Sequence, residues 1–394
     1  MRTEKLSALL DISIGRTPSR NEPAYWGKGH RWVSIRDLNS KIVTETKEQI
    51  TDLAVKKARC KVVPKGTLLF SFKLTIGKMA FAGCDLFTNE AIAAFSILNK
   101  RELYSEFLYY ALQSASYSGS NQAVMGKTLN SKSLAEIEIP LPPLDDQIRI
   151  AHLLSKVEGL IAQRKQHLQQ LDELLKSVFL EMFGDPVRNE KGWEKLPLER
   201  LGTINRGVSK HRPRNDPQLL GGTHPLIQTG EVSNAGTYIT AYTQTYSDIG
   251  FAQSKLWPAG TLCITIAANI AQTGILTFDA CFPDSVVGFI AKEVEANTIY
   301  VLGLFWFFQA ILEKNAPAAA QKNINLEILR GLEVPKPPVE LQNKFADVVV
   351  KIENLKSHYQ QTLTDLESLY GALSQRAFKG ELDLSRVPLP DATC

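Results

Sequence analysis

No two cysteines of this chain are close enough in sequence to form a metal-binding or redox pair. The five thiols are Cys60, Cys84, Cys263, Cys281 and Cys394, and none falls in a C-x-x-C spacing. An odd, scattered set fits a reducing compartment with unpaired thiols and supplies no zinc site, so no metal is expected. Long apolar runs are also missing. The longest, VLGLFWFFQAIL at 301–312, is too short to span a bilayer and contains Gln309. MRTEKLSALL at the start has no signal-peptide core. From these absences a cytoplasmic chain with no membrane partner is expected.

Catalytic signatures are absent as well. There is no G-x-G-x-x-G cofactor loop and no Asn-Pro-Pro or Asp-Pro-Pro element of the kind that amino-methylation of bases requires. Gly126-Lys127-Thr128 resembles the end of a phosphate loop, but Asn121 stands where that loop needs glycine. Asp37 with Glu45 and Lys47 forms at best a loose nuclease-like set. It has no counterpart later in the chain, and no nucleophile triad can be argued from spacing. No catalytic residue is expected. The net charge of +4 is mildly basic and suits a nucleic-acid binder and an ordinary soluble protein equally.

What the chain does have is a second copy of itself. IPLPPLDDQ (139–147) aligns with VPKPPVELQ (334–342), each reading Pro-x-Pro-Pro, three residues, then Gln. KTLNSKSL (127–134) falls on KNINLEIL (322–329), and VPKGTLLF (63–70) on WPAGTLCI (257–264). A period of about 195 residues is too long for a solenoid and marks two domain-sized units. Each first part is α+β: WVSIRDL (32–38), GTLLFSF (66–72), IAAFSIL (92–98), GTLCITI (260–266) and VVGFIA (286–291) predict strands. Helices are predicted near 103–115 and 299–312.

Proline cannot lie inside a helix, so each proline step predicts a helix start. Heptads follow. The first seam is Ile150, Leu154, Val157, Ile161, Leu168, Leu171, Leu175 and Val178; the second is Phe345, Val349, Ile352, Leu363, Leu366, Tyr370 and Leu373. Arg164 and Lys356 interrupt them. This periodicity predicts coiled-coil packing, most simply as an antiparallel pair. A helix of about 39 residues spans roughly 58 Å and would act as a ruler. The segments predicted are 1–143, helix 144–183, 184–338, helix 339–380 and a tail 381–394.

Positive charge gathers at matching places. The first copy carries Arg16, Arg20, Lys28, His30 and Arg31 beside Tyr25 and Trp26. The second carries Arg206, Lys210, His211, Arg212 and Arg214. Basic loops of this kind neutralise phosphates, and Arg also pairs with guanine edges. Further candidates are Lys73 and Lys78 against Asn269 and Gln272, and Lys127 against Lys322 and Asn323. Asn130 and Asn325 have a second reading, as helix caps.

Together these features resemble the specificity subunit of type I restriction–modification systems. The carriers are the two proline steps, the heptads behind them, the opening IGRTPSRNEPAYWGKGHRWVSIRDL and the passage MFGDPVRNEKGWEKLPLERLG (182–202). The second copy departs from that opening, with Gly-Val-Ser-Lys where the first has Arg-Thr-Pro-Ser. The resemblance implies two target recognition domains, each reading half of a split double-stranded DNA site, and an antiparallel coiled coil between them. It implies two modification subunits using S-adenosylmethionine and restriction subunits using ATP and Mg²⁺, with no cofactor held by this chain. A standalone nuclease or DNA methyltransferase, and a pseudo-symmetric protein scaffold, are the competing readings.

Overall fold

The computed structural model describes residues 2–115, 129–267, 269–315 and 323–390. It divides into two compact units. One takes the chain up to Gln163 together with everything from Leu363 on, and the other is Arg164–Thr362. The division therefore falls inside both long helices.

Each unit holds the same α+β domain. In the first, a five-stranded sheet runs in the order Leu10–Ile14, Ile92–Ile97, Leu68–Ser71, Met79–Ala82, Ile42–Val43. In the second the order is Gly202–Arg206, Val286–Ala291, Leu262–Thr265, Thr273–Leu276, Tyr238–Ile239. In both sheets only the last pair is parallel. A smaller sheet lies beside each: Glu48–Ile50, Trp26–Val33, Phe87–Thr88 in one, and Gln244–Tyr246, Leu220–Leu226, Ala280–Cys281, Leu256–Trp257 in the other.

The Pro-x-Gly-Thr motif explains itself as a turn. Thr67 N–H donates to Pro64 O at 3.2 Å with Gly66 at φ +84°, and Thr261 N–H to Pro258 O at 3.2 Å with Gly260 at φ +84°. A type II turn needs positive φ at its third residue, where glycine carries no Cβ penalty.

The proline steps also start helices as expected: α1 is Leu144–Phe183 and α2 is Val339–Lys379. The glutamine that closes each motif is fully buried. Gln147 accepts from Tyr104 N–H (2.9 Å) and donates to Glu102 O (2.8 Å) and Pro142 O (2.9 Å). Gln342 accepts from Asn297 N–H (2.9 Å) and donates to Pro337 O (2.8 Å). Each glutamine thus ties the first turn of its long helix to the loop ahead of the domain's own helix, Ser105–Ser114 or Thr298–Asn315. A buried amide is tolerable only with such partners.

Within Arg164–Thr362 the helices run antiparallel. The Arg164 guanidinium lies 4.1 Å from the Tyr359 ring centroid, Lys356 Nζ lies 2.7 Å from Asp172, and the Phe179 ring lies 5.4 Å from Phe345. Positions rise on α1 as they fall on α2. The two seam-breakers therefore find partners within the pair. Burial alone would lower the Lys356 pKa, but the Asp172 and Glu353 carboxylates outweigh it and hold the ammonium above its ordinary value.

Among the seam residues, Ile150, Leu154, Val157, Leu175, Phe345, Val349, Ile352 and Leu363 are buried. Ile161, Leu168, Leu171, Val178, Leu366, Tyr370 and Leu373 are half-buried. Phe179 and Phe183, outside the heptad seam, are as deeply buried as any seam residue. They pack on Tyr300, and Phe179 also on Phe307, of the helix Thr298–Asn315, so α1 serves a globular core as well as a coiled coil. In the other unit Ile150, Ala151 and Leu154 share one core with Leu103, Phe107, Leu108 and Ala377, with Tyr370 and Leu373 packed against it. This is why the unit boundary cuts the helices: their ends belong to the domains' own cores.

One strand expectation shifts. WVSIRDL is not a strand throughout: the strand Trp26–Val33 ends there, and Ile35–Asp37 is a 3-10 turn. Asp37 makes the turn. It accepts from Ser34 N–H and Oγ–H, both at 2.8 Å, and from Lys47 N–H at 3.1 Å. That occupation replaces the loose nuclease reading of Asp37 with a capping role.

Candidate nucleic-acid interface

In the first domain the basic residues are spread over a loop and a strand. Arg16 and Arg20 lie on the loop after Leu10–Ile14, whereas Lys28, His30 and Arg31 lie on the strand Trp26–Val33; all five are exposed. Arg16 Nη1 donates to Ala58 O at 3.3 Å, and Arg16 O accepts from the buried Trp32 indole at 3.1 Å. The loop is thereby anchored both through the Arg16 side chain and through its backbone carbonyl.

Arg20 has the most defined setting. Its guanidinium stacks on the Trp26 ring at 3.8 Å from the centroid and makes two hydrogen bonds to the Glu48 carboxylate, one of them 3.0 Å. Arg20 holds the Glu48 carboxyl below the usual carboxylate range. His30 Nε2 lies 2.7 Å from Asp52, whose pKa it lowers.

In the second domain Arg206 ends the strand Gly202–Arg206, and Lys210, His211, Arg212 and Arg214 follow on an exposed loop. Gln253 Oε1 accepts the backbone N–H groups of Lys210 (2.5 Å) and His211 (3.0 Å), which fixes the loop's path. Arg212 and Arg214 converge on Asp284. His211 Nε2 lies 3.2 Å from Asp216. The Asp216 carboxyl is held low first by Gln218 N–H and then by His211.

The remaining candidates divide. Lys78 Nζ donates to Asn39 at 3.3 Å, and Asn269 Nδ2 to Ser233 at 3.2 Å, so the two domains tie the equivalent loop to the equivalent turn. Lys73 is half-buried beside the Phe72 ring, and Gln272 is half-buried too. Asn323 is exposed and bridges to Ala267. Lys127 and Lys322 lie outside the described residues. Asn130 and Asn325 take their second reading: Asn130 accepts from Lys132 and Ser133 N–H at 2.9 Å each, and Asn325 from Ile328 N–H at 2.9 Å.

The charged surface is therefore mixed. Glu48, Asp52, Asp216 and Asp284 each face a basic side chain of the two clusters. Exposed pairs of this sort contribute only about 0–1 kcal/mol to stability. A phosphate can take the carboxylate's place on the basic side chain, and a base edge can take over either partner, at little cost to the fold. Sequence inspection missed these carboxylates. Among the described residues, no group of three or more His, Cys, Asp and Glu side chains is placed to hold a metal ion. No described helix is long and apolar enough to cross a membrane.

Known proteins resemble the chain across both repeats. Residues 1–173 and 190–367 match the family described as type I restriction modification DNA specificity domain. The type I restriction enzyme MjaIX specificity subunit of Methanocaldococcus jannaschii is 30% identical over 223 residues, 51% of this chain and 50% of the relative. The putative MjaX specificity subunit of the same organism is 21% identical, over 65% of this chain and 63% of its own length. These matches thus span between half and two thirds of those two relatives. The EcoBI specificity subunit of Escherichia coli is 20% identical over 81% of this chain and 76% of that one. Among solved structures, a chain from work on complex assembly and conformational transition of the type I R-M system superposes with a TM-score of 0.62. It is 18% identical and covers 97% of this chain and 98% of that one. The S subunit from M. genitalium gives 0.57 at 15% identity, covering 96% of each chain. These structures share the fold.

Proposed function

The chain belongs to the type I restriction modification DNA specificity family, and on that premise we propose that it is the DNA-recognition subunit of such a system. Each α+β domain reads one half of a bipartite double-stranded site. The subunit directs adenine methylation and cleavage without performing either. The observation that carries this reading is the duplication itself: one domain, one proline step, one buried glutamine and one long helix, each occurring twice. A duplicated reader suits a target with two halves separated by unread base pairs.

The partners that follow are two modification subunits docking on the helical region, and restriction subunits joining them. S-adenosylmethionine would be bound by the former, and ATP with Mg²⁺ by the latter. The mixed charge of the two loops supports contact with phosphates and base edges together, because Arg and Lys position the duplex while polar side chains discriminate. Such binding weakens steeply with salt.

The test is a methylome. The chain is co-expressed with its neighbouring modification subunit in a host lacking DNA methylation, and methylated adenines are mapped by long-read sequencing. A two-part motif with a fixed unread gap is the expected result. No new methylation from folded, associated proteins would overturn the proposal and favour the scaffold or enzyme readings.

A further inference from the structure

The two domains carry one cleft each at the same place in the fold, and the two clefts differ in chemistry. The register of the small sheets establishes the equivalence. Trp32 lies opposite Glu48 and beside Phe87, as Leu226 lies opposite Gln244 and beside Cys281. Just beyond each strand, Ser34 and Gln228 both begin a capping box, closed by Asp37 and Glu231. The first cleft, of about 800 Å³, is lined by Arg20, Trp32, Ser34 and Glu48. The second, of about 450 Å³, is lined by Arg214, Leu226, Gln228 and Gln244.

The scaffold around these clefts is the same in both copies, while the groups at their mouths are not. In the first, Arg20 is stacked on Trp26 and bonded to Glu48. In the second, Arg214 turns away to Asp284, and the mouth is held by a hydrogen bond from Gln228 Nε2 to Gln244 Oε1. Glu48, Gln228 and Gln244 are all exposed at the level of the whole residue or its side chain. Arg pairs bidentately with guanine O6 and N7, a carboxylate accepts from cytosine N4, and Gln pairs bidentately with adenine N6 and N7. A guanidinium already oriented by an aromatic face and a carboxylate loses little freedom on meeting a base.

We infer that these two mouths determine specificity: Arg20 with Glu48 reads a G·C pair in one half-site, and Gln228 with Gln244 reads an A·T pair in the other. The inference rests on the recognition reading above and adds the residues and the base classes.

Methylomes of the wild-type chain, Arg20→Ala and Gln244→Ala, each assembled with the modification subunits, test it. Arg20→Ala is expected to relax one G·C position in a single half-site, with discrimination there falling about tenfold or more. Gln244→Ala is expected to relax one A·T position in the other half. Glu48→Gln and Gln228→Ala, which leave the stacked Arg20 in place, serve if either first variant fails to assemble. Unchanged specificity at every position in assembled variants, or both variants relaxing the same half, would overturn the inference and leave bipartite recognition standing. A wild-type complex with no bipartite motif would overturn the recognition reading, and this one with it.

Discussion

Gln147 and Gln342 show what a single residue type at a fixed offset accomplishes. Each sits in the first turn of a long helix, buried, with both ends of its amide engaged by backbone groups. The motif Pro-x-Pro-Pro-x-x-x-Gln is a clamp: the prolines fix where the helix begins, and the glutamine fixes what it leans on. Gln147→Leu keeps the volume and strands the buried backbone groups it served. That substitution is expected to cost about 2–4 kcal/mol, because each unsatisfied buried group costs about 1–3 kcal/mol. Urea unfolding of the full chain measures it, and a loss under 0.5 kcal/mol would mean that water replaces the clamp. Glu353 shows a related economy. It accepts from Thr237 of the domain at 2.8 Å and from Lys356 of its own helix at 2.8 Å, joining sheet edge and seam through one carboxylate.

At the scale of the element, α1 and α2 are coiled-coil helices in their middle and core helices at their ends. The apolar residues of the central seam, Ile161, Leu168 and Leu366, are only half-buried. At the ends, Phe179, Phe183 and Phe345 enclose one another and Tyr300 within a domain core. Gly303 of the neighbouring helix is part of that fit, since a Cβ there would come within 2.7 Å of the Phe179 ring. Phe345→Ala should therefore destabilise by about 3–5 kcal/mol, as expected for an aromatic deleted from a packed core. Leu168→Ala should cost clearly less. Paired thermal or urea unfolding of the two variants checks the order, and equal losses would show that the seam and the core ends contribute alike.

At the scale of the whole molecule, each long helix is shared by both compact units, and under the proposed function helix length would set the spacing of the two half-sites. Inserting one heptad into both helices keeps the seam in phase and adds about 10 Å of rise. The unread gap of the methylated motif is then expected to lengthen by roughly three base pairs, at ~3.4 Å per base pair, with both half-sites unchanged. Long-read methylation mapping of that variant decides it; an unchanged gap would remove the helices from the role of ruler.

Local chemistry made much of this legible in advance. Helix starts followed from proline geometry, and the seams from a period of 3.5 residues. The duplication needed no structure at all, being a comparison of the chain with itself. What only tertiary structure decided are relations between residues far apart along the chain. Glu48 meets Arg20 from 28 residues away, and Asp284 meets Arg214 from 70. Arg20, Arg212 and Arg214 thus read as bare charge in the sequence and as charge already paired in the fold. Phe179 and Phe183 lie off the heptad, so their burial depended on a helix more than a hundred residues later. Backbone preference and periodicity act within a few residues and are written into local sequence. Which side chain neutralises or buries another is set by sheet register and helix packing, which exist only once the chain has closed on itself.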